Sequence, residues 1–157
     1  MLSYYKTSRI AFVMALGTIG FSAPGEVLGE DGAQQKQVLV ANVDPSLLPD
    51  SVQVADIVRG GKRSWSDGTI LTVVLPGRKH PLFGQVEKDF FVGKGPSLQR
   101  HWVRLVFSGR GNPPLYAEST EEMCEMVRVT RGSCALFYGS VPDPCQSLPQ
   151  SPRSATP

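Results

Sequence analysis

Arg78, Lys79 and His80 stand together directly before Pro81, where the chain is expected to enter a helix. A helix N-terminus presents unpaired backbone N–H groups and the positive end of the aligned peptide dipoles, so an arginine and a lysine beside it can draw in an anion. The competing reading of this triplet is a plain solvated loop. A second basic cluster, Arg59, Lys62 and Arg63, reads as a solvated turn. His80 and His101 are the only two histidines, and neither stands at metal-ligand spacing with a second ligand. His101 reads as a surface or partly packed residue. There is no G-x-S-x-G nucleophile motif. Gly60-Gly61 and Gly93-Lys94-Gly95 lack the spacing of a phosphate loop and read as turns. The expectation is a noncatalytic chain with no metal and no cofactor.

The three cysteines, Cys124, Cys134 and Cys145, suit an exported protein with one disulfide and one thiol left over. Cys124 with Cys134 is the preferred pair, because a helix and the strand after it can lie side by side. Cys134 with Cys145 is the alternative, and sequence does not decide between them.

Export is read from the N-terminus. Lys6 and Arg9 precede an apolar run from Ile10 to Phe21, followed by small residues, which predicts a secretory signal peptide over 1–29 with cleavage after Gly29. An uncleaved anchor is the alternative. The run is short for a membrane span, and none is expected after cleavage. With 16 Lys plus Arg against 14 Asp plus Glu, the chain lacks the strong positive bias of a nucleic-acid-binding protein. Residues 30–36 read as a flexible leader, 37–141 as one domain, and 142–157 as a disordered tail rich in Pro, Ser and Gln.

Within the domain, Val38 to Val43 reads as a strand apolar on both faces, and a helix over Val52 to Arg59 ends at the Gly60-Gly61 pair. Trp65 anchors the loop that follows, Asp67-Gly68 marks a turn, and Ile70 to Val74 is too apolar for an exposed strand. Helical spacing places Leu82, Val86, Phe90 and Phe91 in a helix from Pro81 to Val92. Leu98, Trp102, Leu105 and Val106 form the stripe of a second helix capped by Ser97. Ser119 with Glu122 forms a capping box for a third helix that Gly132 stops, before a last strand from Cys134 to Tyr138. Apolar strands separated by helices imply an α/β domain: a small, mostly parallel sheet flanked by helices.

The stretch from Val54 to Val74 resembles the second lobe of the phosphate-binding proteins of phosphate ABC transporters, the type II periplasmic binding proteins. Those carry a helix ending in an I-F-x-G-K-I-like turn, a W-x-D-like loop and an I-T-V-V-like strand. The matching residues here are Asp56-Ile57-Val58-Arg59-Gly60, Trp65-Ser66-Asp67 and Leu71-Thr72-Val73-Val74. Val38 to Asp44 resembles that lobe's opening strand, and Gly132 to Tyr138 its closing G-A-I-G-Y-V-type strand. Trp102 and Phe107-Ser108-Gly109 are similar to the small single-lobe relatives. The resemblance implies one lobe of such a protein and a periplasmic binding module for phosphate or another small anion. Where the family has R-S-D-G-S-G-T, this chain has Leu75-Pro76-Gly77-Arg78-Lys79-His80-Pro81, so Arg78, Lys79 and His80 would hold the anion. The alternative function is a scaffold that docks on an envelope protein or on itself and has no small-molecule ligand.

Overall fold

The structure is a computed structural model that describes residues 36–93 and 95–151. The signal peptide expected over 1–29 lies outside the described residues, as does the leader apart from Lys36. Among the described residues there are four strands: β1 (Gln37–Ala41), β2 (Thr72–Pro76), β3 (Leu115–Ala117) and β4 (Ser133–Tyr138). Five α-helices join or flank them: α1 (Ser51–Val58), α2 (Phe83–Phe90), α3 (Leu98–Phe107), α4 (Thr120–Val129) and α5 (Asp143–Gln146).

The sheet runs in the order β1-β4-β2-β3. Strand β2 is parallel to both β4 and β3, whereas β1 lies antiparallel to β4, with Leu39 opposite Leu136. The sheet is therefore mixed, which corrects the expectation of a mostly parallel one. Apolar side chains on both faces favour a parallel strand only as a tendency, and β1, covered by helices on one face and α4 and α5 on the other, reads the same although it is antiparallel. Strand β3 is three residues long, too short to show a pattern, and lies in a stretch read only as loop and cap.

Alternation along the strands sorts the core into two layers. Leu39, Ala41, Val73, Leu75, Cys134 and Leu136 face the apolar stripes of α1, α2 and α3. Val38, Val40, Val74, Ala135 and Phe137 face α4 and α5. All six residues of β4 are buried, so it is the strand on which both layers close. The same alternation settles the disulfide. Cys134 points into the α1–α3 layer, while Cys124 and Cys145 lie in the other, so the sheet itself separates Cys134 from both. The bond joins Cys124 to Cys145, and Cys134 is free and fully buried, its thiol pushed up to about 12 by desolvation. The expected Cys124–Cys134 pair is thereby corrected, and its alternative with it.

The segment expected as a disordered tail is ordered through Ser151. Helix α5 is tied to α4 by the disulfide, and the chain then runs along the outer edge of β1. Ala41 N donates to the Pro149 carbonyl at 3.0 Å, Ser151 N donates to the Leu39 carbonyl at 2.8 Å, and Leu39 N donates to Ser151 Oγ at 3.1 Å. An open strand edge invites pairing with other chains, and this strap covers it. Polar composition misled here because the segment is held by backbone bonds and one covalent link, neither of which needs apolar side chains.

Local signals are better kept. Helix α1 ends in a Schellman motif: Gly60, at φ 71°, donates to the Ile57 carbonyl and Gly61 to the Asp56 carbonyl. Ser119 Oγ accepts from Glu122 N at 3.1 Å, while Glu122 Oε2 reaches back to Glu118 N at 2.7 Å. Trp65 is buried, and its Nε1 donates to the Gly132 carbonyl at 2.8 Å. That carbonyl also accepts from Thr72 N at 3.2 Å, and Gly132 N donates to the Asn42 carbonyl at 2.9 Å. Gly132 has φ 78°, and a Cβ on it would collide with the Ile70 carbonyl. Replacing Gly132 with Ala adds a left-handed strain to a backbone clash, each worth about 1–2 kcal/mol, and the expected loss is on the order of 3 kcal/mol in chemical denaturation. A loss below about 0.5 kcal/mol, the scatter of ordinary surface changes, would show that the junction tolerates movement.

Candidate functional site

Strand β2 leads into α2, which packs in the α1–α3 layer, and strand β3 leads into α4, which packs on the opposite face. Neighbouring strands whose following helices diverge leave a crevice at their carboxyl ends, the usual ligand position of open α/β sheets. Residues Gly77 to Pro81 form one lip and Glu118 to Glu122 the other. Gly77 N donates to the Ala117 carbonyl at 2.7 Å, closing the base.

The expected triplet sits on this lip, but its side chains do not converge. Arg78 is exposed, and its Nε donates to Gln99 Oε1 on α3 at 2.9 Å. Lys79 is exposed. His80 turns inward to 3 % exposure, and its Nδ1 accepts from Leu82 N at 3.0 Å. The ring thus takes an amide at the start of α2 that an anion would have used. The carboxylate of Glu118 stands against Gly77, where a Cβ would touch it, and places a negative charge in the crevice. The anion site expected from Arg78, Lys79 and His80 is not assembled as a set, because the histidine serves the fold.

The bond from Leu82 needs a lone pair on Nδ1, so it exists only for the neutral ring. Burial lowers the His80 pKa below its ordinary 6.5, while the Ser119 carbonyl and the carboxylates of Glu118, Glu121 and Glu122 oppose that shift. The Ser119 carbonyl lies near the ring but outside hydrogen-bond geometry, and among the described residues Nε2 has no partner.

A second concave place brings cations together. Pro96, His101, Arg104, Leu105 and Arg110 line a cleft of about 170 Å³ between α3 and the turn that ends it. No carboxylate is among these lining residues. Arg104 leaves α3 one turn before its end, and the turn is set by a second Schellman motif: Gly109, at φ 69°, donates to the Val106 carbonyl and Arg110 to the Leu105 carbonyl. Arg110 Nε is steadied by Ser108 Oγ at 3.2 Å. His101 is pinned from behind, with Nε2 at 2.8 Å from the Arg59 carbonyl at the end of α1 and its ring edge-on to Phe91 at 5.3 Å. A carbonyl only accepts, so Nε2 carries the proton. Nδ1 is then an acceptor in the neutral ring and a donor in the charged one. Two guanidinium forks and an imidazole on one cleft are suited to a phosphate, sulfate or carboxylate.

Sequence reading passed over Arg104 and Arg110 and gave His101 only a packing role. A signal was present, since residues 90–117 carry no Asp or Glu and four cations, Lys94, Arg100, Arg104 and Arg110. Comparison of the chain with protein-family models, with curated proteins and with solved structures finds no match. What stands is an α/β domain with a four-stranded open sheet flanked by helices. No helix among the described residues is long and apolar enough to cross a membrane.

The His80 cap makes a pH prediction. Its folded pKa lies below the unfolded value, so its contribution is complete above pH 6.5 and is lost as pH falls through 6.5 toward the folded value. Asn at this position can accept the same Leu82 amide without titrating. In melts between about pH 7.5 and about pH 5, His80→Asn is expected to flatten the fall in stability; an unchanged slope would remove His80 as its source.

Proposed function

We propose that the chain is an exported, noncatalytic binding module for a small anion, phosphate first, of the kind found in phosphate ABC transporter substrate-binding proteins and built as a single lobe acting in the periplasm. The observation that carries the anion preference is the cleft lined by His101, Arg104 and Arg110 without a carboxylate. Guanidinium groups cannot lose their charge at physiological pH, so an oxyanion entering between them replaces water with charge-assisted bonds. The likeness to those proteins rests on the sequence motifs of Asp56–Gly60, Trp65–Asp67 and Leu71–Val74. The export assignment rests on the Lys6, Arg9 and Ile10–Phe21 pattern.

A second reading is a scaffold that docks on an envelope protein or on itself without a small-molecule ligand. It is favoured by the crevice beyond β2 and β3, where the chain's own Glu118 carboxylate stands against Gly77.

Isothermal titration with phosphate separates the two. The expected result is saturable heat for the parent and for Arg78→Ala/Lys79→Ala, with affinity lowered about tenfold or more in Arg104→Ala/Arg110→Ala, since each tenfold is 1.4 kcal/mol and each charge-assisted bond is worth about that. No heat with phosphate or sulfate at millimolar concentration would leave the scaffold reading in place.

A further inference from the structure

We infer that the outer face of α3 docks the protein peripherally on an anionic lipid surface, with Phe107 as the inserted side chain. Phe107 is 88 % exposed and Val103, one turn before it, is 54 % exposed. The buried stripe of α3 is set by Leu98 and Trp102. At about 100° per residue, Phe107 lies about 140° around the helix from Trp102, on the side away from the core. Helical phase therefore cannot bury it within this fold. An exposed phenylalanine also lacks the polar tip with which a tyrosine or tryptophan meets water.

Charge identifies the occupant. Arg100, Val103, Arg104 and Phe107 recur at three- and four-residue spacing, so the apolar pair is interleaved with two exposed arginines. Arg110 follows in the next turn, and no carboxylate occurs between Asp89 and Glu118. A face whose own charged residues are all arginines and that ends in one protruding ring, with the Glu87 carboxylate of α2 held at the opposite end of α3 by Leu98 N, matches a phosphate-rich interface, where the arginines meet headgroups and the ring enters the acyl boundary. A protein partner would need a socket for a ring that stands almost free, whereas a fluid surface conforms to it. This inference does not rest on the small-anion reading, although Arg104 belongs to both faces.

The test uses the full chain in cosedimentation with phosphatidylcholine vesicles, with or without phosphatidylglycerol. Residues 10–21 are apolar and can themselves enter a bilayer, so the quantity read is the difference between parent and variants. The expected result is a component of binding that requires phosphatidylglycerol and weakens as salt is raised. Phe107→Ser is expected to lower it about tenfold or more, and Arg100→Glu/Arg104→Glu to abolish it. Both sites are exposed, and an unchanged melting curve confirms folding. A difference between parent and variants that is as large on neutral vesicles, or a Phe107→Ser variant that binds as the parent does, overturns the inference. Binding to polyglutamate but not to vesicles overturns it in favour of an acidic protein. The Phe107→Ser variant should keep the parent's phosphate heat, so loss of phosphate binding alone would sink the small-anion reading and spare this one.

Discussion

The carbonyl of Gly132 is the point on which the rest of this structure depends. It receives the indole of Trp65 and the first amide of β2, while the amide of the same residue ties back to Asn42 beyond β1. Three segments far apart in sequence are thus registered at one end of the sheet, where β4 enters between β1 and β2. Each bond is worth about 1 kcal/mol net. Their joint effect is to hold β1, β2 and β4 in register at that end of the sheet. Only glycine allows it, because the backbone is left-handed there and Ile70 leaves no room for a Cβ.

From that registration the two layers follow, and with them the chemistry. Because β4 is buried along its whole length, its odd and even side chains belong to opposite layers. Cys134 is sealed from its two possible partners, the disulfide is left to Cys124 and Cys145, and the chain after it is free to strap the β1 edge. The strand edge that a small sheet must protect is covered by a segment whose composition suggests no structure at all. On the other layer, α3 is pressed inward by Leu98 and Trp102, and that rotation decides where its arginines and Phe107 point.

What was legible in the sequence was whatever depends on near neighbours. Gly60 ending a helix and Ser119 capping one are each decided within a few residues, and each is found; Trp65 was legible as a loop anchor, while its distant partner, the Gly132 carbonyl, was not. The direction of β1 was not legible, because burial on both faces favours a parallel strand only as a tendency. Nor was β3, which is too short to carry a period, or the disulfide, which turns on the parity of two positions across a sheet. The candidate site failed for a related reason. Arg78, Lys79 and His80 are adjacent in sequence, yet adjacency in a loop sends side chains apart, and His80 was drawn in to satisfy the start of α2. His101, Arg104 and Arg110 are brought together by the phase of α3 and the turn behind it, and the trace they leave in sequence is a long run free of carboxylates.

The proposed function assigns anion recognition to this cleft and not to the loop after β2. Nitrogen–proton chemical-shift mapping during a phosphate titration tests it most directly. Saturable shifts are expected at the side-chain Nε–H groups of Arg104 and Arg110 and at the His101 ring, with Gly77 to Leu82 unmoved. Saturable shifts at Gly77 to Leu82 with the cleft unmoved would contradict it.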